Sequence, residues 1–153
     1  FMMKVVISYP NKEEEKEILR GQISPNKQTI SPVIKPQDII HAREVVKEVY
    51  IDSKIENYIT DIVFATRFPE EYGMNNLKSF ISYGASPRAT INLALASRAL
   101  AFIKRRGYVI PEDVREVCLD VLRHRIGLTY EAEAENIKSE DIATEIVNKI
   151  DVP

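Results

Sequence analysis

The sequence predicts a mainly α-helical fold, a small helical bundle carrying one or two short strands. Three observations predict it: apolar residues recur at helical spacing in several stretches, start signals precede those stretches, and the segments between them are short. A chain of 153 residues with 44% hydrophobic content suits one core of ordinary size.

The chain opens with "MMKVVISYP", a strand-like run over residues 3–8. It has no hairpin mate nearby, so an excised fragment is expected whose first strand belonged to a sheet elsewhere. After Pro10, Asn11 and Glu14 form a capping box ahead of "KEEEKEILR", and Gly21 is the expected stop. "QISPNKQTISPVIKP" carries three prolines and reads as a loop with one short strand around residues 28–34. Pro36 opens a helix to about residue 51 in which Ile39, Ala42, Val46, Val49 and Tyr50 share a face. Ser53 and Glu56 form a capping box before Ile55, Tyr58, Ile59, Ile62, Val63 and Thr66, and this helix ends ahead of Pro69.

Residues 69–83 lack a clean period and read as a connecting loop. In "GASPRATINLALASRAL" Ser86 is the expected N-cap and Pro87 the first helical residue, with Gly107 as the stop. Pro111 begins a helix with Glu112 and Asp113 in its first turn, Val114, Val117, Cys118, Val121 and Leu122 on one face, and Arg123, His124 and Arg125 at its end. "GLTYEAEAE" is expected to give a short strand pairing with residues 30–34, then a helical turn. Ser139 caps a last helix carrying Ile142, Ile146, Val147 and Ile150.

Composition excludes several function classes. Lys and Arg total 21 against 23 Asp and Glu, which gives no broad electrostatic case for nucleic acid or an anionic membrane. No apolar run approaches the ~18 residues of a membrane span. The single Cys118 permits no internal disulfide and reads as a core thiol in a reducing, cytoplasmic setting. No glycine begins a phosphate-binding loop, and no nucleophile elbow is present. His41 and His124 stand apart without ligand-spaced neighbours, so no metal site is expected. The basic clusters at 104–106 and 123–125 fall at helix C-termini, where cations are electrostatically at home.

Arg88 stands out against this background. It lies in a first helical turn, where unpaired N–H groups carry partial positive charge and a cation is unfavourable unless an anion faces it. Gly84 and Ala85 keep side chains out of the way, and a guanidinium adds a planar donor fork to the free N–H groups. Ser86, Pro87 and Arg88 thus describe a phosphate-facing corner, with Asn92 one turn on. The competing reading has Arg88 snorkel to solvent or pair with a neighbouring carboxylate.

"GASPRA", followed by "ALASRALAFIKRRGYVIPEDV" and "VLRHRIGLTYEAEAE", resembles the C-terminal part of MoxR-type AAA+ ATPases, and "FMMKVVISYPNKEEEKEIL" resembles the end of their ATPase core and the start of the lid. The resemblance implies that residues 1–10 are the end of the core and a hinge, and residues 11–153 a helical lid domain. It matches Arg88 to the family's sensor 2 arginine, a catalytic residue that reaches the γ-phosphate of ATP. It also places Tyr9 and Pro10 near the adenine.

The family's P-loop, Walker B acids, sensor 1 and an arginine given to the neighbouring subunit are expected upstream of Phe1, so ATP and Mg would be held mainly by that core. The implied partners are the ATPase core of the same polypeptide, neighbouring subunits of a homo-oligomeric ring and a client protein, with no nucleic acid and no membrane span. The fragment itself is expected to hydrolyse nothing. A stand-alone helical adaptor that binds a protein partner is the alternative, and a nucleic-acid binder using the basic clusters ranks third.

Overall fold

A computed structural model describes residues 1–24 and 30–153 of the chain. All of its helices but one begin where short polar side chains serve orphan N–H groups. In α1 (Lys12–Ile23) the Asn11 side chain accepts from the Glu13 and Glu14 N–H groups at 3.0 Å, and the Glu14 carboxylate accepts the Asn11 N–H at 2.8 Å. The expected stop at Gly21 is not used. The helix runs on to Ile23 and ends at Ser24, the residue before a proline, where helical backbone is disfavoured. None of the α1 residues is buried.

α2 (Pro36–Glu48) ends earlier than its apolar period suggests. The next residues pair instead with the connection far downstream: the Tyr50 N–H donates to the Gly107 carbonyl at 2.9 Å and the Val109 N–H to the Tyr50 carbonyl at 3.0 Å. Val49 and Ile51 are buried and Tyr50 exposed, the two-residue alternation of an extended chain rather than a helical face. α3 (Ser53–Ala65) starts one residue before the expected signal, because Asp52 is the N-cap and its carboxylate accepts the Lys54 N–H at 2.9 Å. Its Ile55, Tyr58, Ile59, Ile62 and Val63 are buried, as their spacing predicts.

The expected loop over 69–83 holds more order than its composition suggests. Two 3₁₀ turns, Pro69–Tyr72 and Asn75–Leu77, flank Gly73, whose positive φ of 72° favours glycine. Then β1 (Ile81–Tyr83) pairs antiparallel with β2 (Gly127–Leu128). The strand partner expected at 30–34 is therefore wrong; its beginning, 28–29, lies outside the described residues. Residues 30–34 form no strand, and Ile30 and Val33 lie exposed with no sheet to cover them. The pairing is set elsewhere: Thr129 donates its N–H to the Phe80 carbonyl at 3.1 Å and its hydroxyl to the Ser79 carbonyl at 2.8 Å. Gly127 leaves room for the Tyr83 ring, since a Cβ there would sit 2.2 Å from Tyr83 Cε1.

α4 (Pro87–Ile103) and α5 (Pro111–Leu122) form the centre, with α3 packed mainly on α4, α7 (Ser139–Lys149) mainly on α5, and α3 and α7 in contact with each other. α6 (Tyr130–Ala134) is a single short turn after β2. The core gathers Tyr58, Ile62, Leu93, Val114, Val121, Ile142 and Ile146. Asp113 is fully buried at the start of α5 and ion-paired with Arg106, which donates from Nη1 at 2.7 Å, while Lys104 Nζ lies 3.7 Å away. Burial alone would raise the Asp113 pKa, but the Arg106 guanidinium and the Ile110 N–H outweigh it and hold the carboxyl below its usual range.

Ser139 is not the cap of α7. The N-cap is Lys138, its N–H taken by Asp141 at 2.8 Å, and the Ser139 hydroxyl donates to the Arg123 carbonyl at 2.8 Å, joining α7 to the end of α5. Residues 3–8, expected as a strand, form none, because no ladder partner lies beside them among the described residues. One backbone bond, from the Lys4 N–H to the Asp120 carbonyl at 2.7 Å, lays this segment along α5.

Candidate functional site

The "GASPR" corner is mounted on the end of α3. Thr66, the buried C-cap of α3, donates its hydroxyl to the Val63 carbonyl at 2.6 Å and accepts the Ala85 N–H at 2.9 Å. Gly84 lies against the same turn so closely that a Cβ would fall 2.3 Å from the Thr66 carbonyl oxygen, so only glycine fits. Ala85 and Ala89 are fully buried on either side. With those points held, the chain turns into α4 at Ser86, whose backbone is extended (φ −77°, ψ 169°) and whose hydroxyl makes no capping bond.

The first turn of α4 is unlike the others. Acids serve the N-cap N–H groups of α1, α2, α5 and α7 through Glu14, Asp38, Asp113 and Asp141. Of the seven described helices, α4 alone has no acidic residue in its first turn. It presents Arg88 there instead, exposed and, among the described residues, with no carboxylate at ion-pair distance. Of the two forms of the competing reading, Arg88 makes no ion pair among the described residues, while its exposed position agrees with the solvent-facing form.

Arg88, Ile91, Asn92 and Arg125 line a cleft of about 390 Å³ whose far wall is Phe1 and Met2. Asn92 lies one turn along α4 and is half-buried, so it shares the cleft as its spacing from Arg88 requires. Of the other expected residues, Ser86 and Pro87 set the backbone of the corner but do not line the cleft. Tyr9 and Pro10 are exposed and stand outside it.

Arg125 is the site residue that the sequence does not signal. It belongs to a basic cluster explained by a helix C-terminus, and its Nε does donate to the Val121 carbonyl at 2.9 Å. Its Nη2 also reaches the Phe1 and Met2 carbonyls, a contact spanning 124 positions for Phe1 that no local pattern reveals. Beside it both ring nitrogens of His124 are shielded from solvent without a hydrogen-bond partner, and burial pushes the His124 pKa down. Two of the three cations of the other basic cluster are taken up by structure: Lys104 pairs with Glu116 and Arg106 with Asp113. The cleft therefore offers the Arg88 guanidinium, the Asn92 carboxamide and an Arg125 guanidinium already tied by Nε and Nη2 to backbone carbonyls, a donor set suited to an anion bearing several oxygens.

The AAA lid domain family matches residues 75–146. Chaperone MoxR1 of Mycobacterium tuberculosis is 38% identical over 154 residues, an alignment covering all of this chain and 40% of that protein. Protein MoxR of Paracoccus denitrificans is 35% identical over 79 residues, 49% of this chain and 23% of that one. The crystal structure of a putative ATPase from Cytophaga hutchinsonii superimposes on the whole chain with a TM-score of 0.95 at 43% identity and is covered to 47%. The chain spans less than half the length of these relatives. A helical lid fold, a lid-family match over residues 75–146 and likeness along the whole chain to Chaperone MoxR1 agree: the chain carries an AAA lid domain and is similar to MoxR-type proteins.

Proposed function

We propose that this domain senses bound ATP for a MoxR-like AAA+ chaperone, coupling hydrolysis in an adjoining core to remodelling or assembly of partner proteins. The observation that carries the reading is Arg88: an exposed cation, in a first turn without acids, facing a cleft it shares with Asn92 and Arg125. A nucleotide's terminal phosphate supplies the anion that this corner lacks. Arg88 would donate to that phosphate, Asn92 would hold the guanidinium or the ligand, and Arg125 would keep residues 1–2 beside both. In this reading residues 1–10 are the end of the core and the hinge, and Tyr9 and Pro10 meet the adenine only once the core is in place.

Donors suit phosphate, but they do not suit Mg. Among the described residues no cluster of three acidic, histidine or cysteine groups exists to hold a metal ion, so that ion falls to the core in this proposal. No described helix is long and apolar enough to cross a membrane, and we place the parent in the cytoplasm as a homo-oligomeric ring.

The test is Arg88→Ala in the full-length parent. Turnover should fall on the order of a hundredfold or more, by analogy with removal of one donor from a transition-state anion. Lys54→Ala, which removes a cation from the first turn of α3, should leave turnover unchanged. The 153-residue chain alone should release no phosphate above background. Normal turnover in Arg88→Ala would make Arg88 a structural residue and remove the proposal.

A further inference from the structure

Residues 1–4 are fastened to the end of α5 at both of their ends. The Lys4 N–H donates to the Asp120 carbonyl at 2.7 Å, and Arg125 Nη2 reaches the Phe1 carbonyl and, at 3.5 Å, the Met2 carbonyl. Between these points Met3 packs against the hydrophobic core. The end of a helix supplies what such an attachment needs, because its last carbonyls lack intrahelical partners and favour a cation beside them. The Asp120 carbonyl takes the Lys4 N–H, and the Val121 carbonyl takes Arg125 Nε at 2.9 Å.

Arg125 is thereby aimed. Its Nε bond sets the guanidinium plane against its own helix, and Nη2 then meets successive carbonyls of a segment more than 120 positions away. A planar fork makes both connections at once, whereas an ammonium is a single charge on a flexible stem. The consequence falls on the cleft. Phe1 and Met2 wall it opposite Arg88, Ile91 and Asn92, so the guanidinium that fastens residues 1–2 also sets how far that wall stands from Arg88.

We propose that Arg125 is a positioning residue. Its fork clamps residues 1–2 onto the end of α5 and so shapes the cleft in which Arg88 meets the terminal phosphate, a role that rests on the ATP reading above. Arg125 acts through the wall and not on the ligand. Every contact of the clamp is made within the chain, between groups that local sequence does not bring together.

The experiment compares Arg125→Lys, Arg88→Ala and the double variant in the full-length parent, by steady-state hydrolysis, thermal melting and amide exchange over residues 1–4. Arg125→Lys keeps the charge and loses the fork. Its kcat should fall about tenfold or more, as when a reacting group is misplaced rather than deleted, while KM for ATP moves less than about twofold. Exchange over residues 1–4 should quicken about tenfold as the clamp opens, and the melting temperature should stay within about 3 °C. The double variant should turn over no more slowly than Arg88→Ala alone, since a residue that acts through the cleft then has nothing left to position.

A loss in Arg88→Ala with normal turnover or unchanged exchange in Arg125→Lys overturns the positioning role and leaves the ATP reading standing. So does a double variant whose losses multiply, which makes Arg125 an independent donor to the ligand, or an Arg125→Lys chain that no longer folds, which makes Arg125 a residue of the fold. Normal turnover in Arg88→Ala removes the ATP reading itself, and the role built on it.

Discussion

The Ala85 N–H donates to the Thr66 hydroxyl at 2.9 Å, joining positions 19 apart in sequence and binding the start of α4 to the end of α3. Both groups are buried, and Gly84 packs on the same Thr66 carbonyl. The arginine-bearing turn is therefore fixed to the core rather than carried on a free loop, as a group that must hold its aim on a ligand requires.

Thr66→Val should destabilise the chain by about 1–3 kcal/mol, because the Ala85 N–H stays buried without an acceptor. Gly84→Ala should cost a similar amount, about 1–3 kcal/mol, through overpacking against the Thr66 backbone. Urea denaturation followed by circular dichroism measures both. In the full-length parent each should also impair turnover, whereas a surface change such as Lys54→Ala should do neither.

Arg88→Glu separates stability from function by sign. An acid in the first turn of α4 complements the helix dipole that Arg88 opposes, so the isolated chain should gain about 0.3–1 kcal/mol. ATP turnover of the parent should collapse in the same variant. A loss of stability would show that Arg88 has a folding role that its exposed position does not reveal.

Asp113→Asn breaks the buried pair with Arg106 and removes the acceptor for the Ile110 N–H. The expected loss at neutral pH is about 3 kcal/mol, the lower end for a broken buried pair. The Asp113 pKa is lower in the folded chain, so its contribution is fully present above the unfolded carboxylate value of about 3.9 and disappears as pH falls through the folded value. Denaturation curves of wild type and variant should converge on acidification. A gap that persists at the lowest pH would mean that the carboxylate charge is not what holds the pair.

His124 carries a pH dependence of its own. Burial is the largest cause of its lowered pKa; the Phe1 backbone opposes it, and Arg125 and Lys4 push further down. The unfolded chain then takes up a proton at about 6.5 that the folded chain refuses, so stability falls as pH drops below that value and on through the folded pKa. His124→Gln cannot take that proton. Its stability should vary less than wild type between about pH 6.5 and 5, measured by thermal melting, and equal slopes would remove the prediction.

Much of the fold is legible because the helix is a local object. The spacing of Ile55, Tyr58, Ile59, Ile62 and Val63 predicts both α3 and its buried face, and Pro87 and Pro111 mark the starts of α4 and α5 where the backbone places them. Boundaries set by competing neighbours are less legible. Asp52 displaces Ser53 as a cap, Lys138 displaces Ser139, and Gly21 fails to stop α1 because the proline after Ser24 stops it instead. The β1–β2 pair is invisible to periodicity, since strands of three and two residues carry too few alternations to register and their partners lie far apart.

The candidate site divides along the same line. By itself the sequence determined that α4 begins at Pro87, that Arg88 lies in a turn whose dipole repels it, and that Asn92 shares its face; these follow from helix-start signals and a 3.6-residue repeat, which need only neighbouring residues. Tertiary structure alone decided that Gly84 must be glycine, that no described carboxylate reaches Arg88, and that Arg125 joins it across a cleft walled by Phe1 and Met2. Those facts depend on which helices pack together, and packing is chosen by the summed burial of α3, α4, α5 and α7 rather than by any stretch of sequence short enough to read.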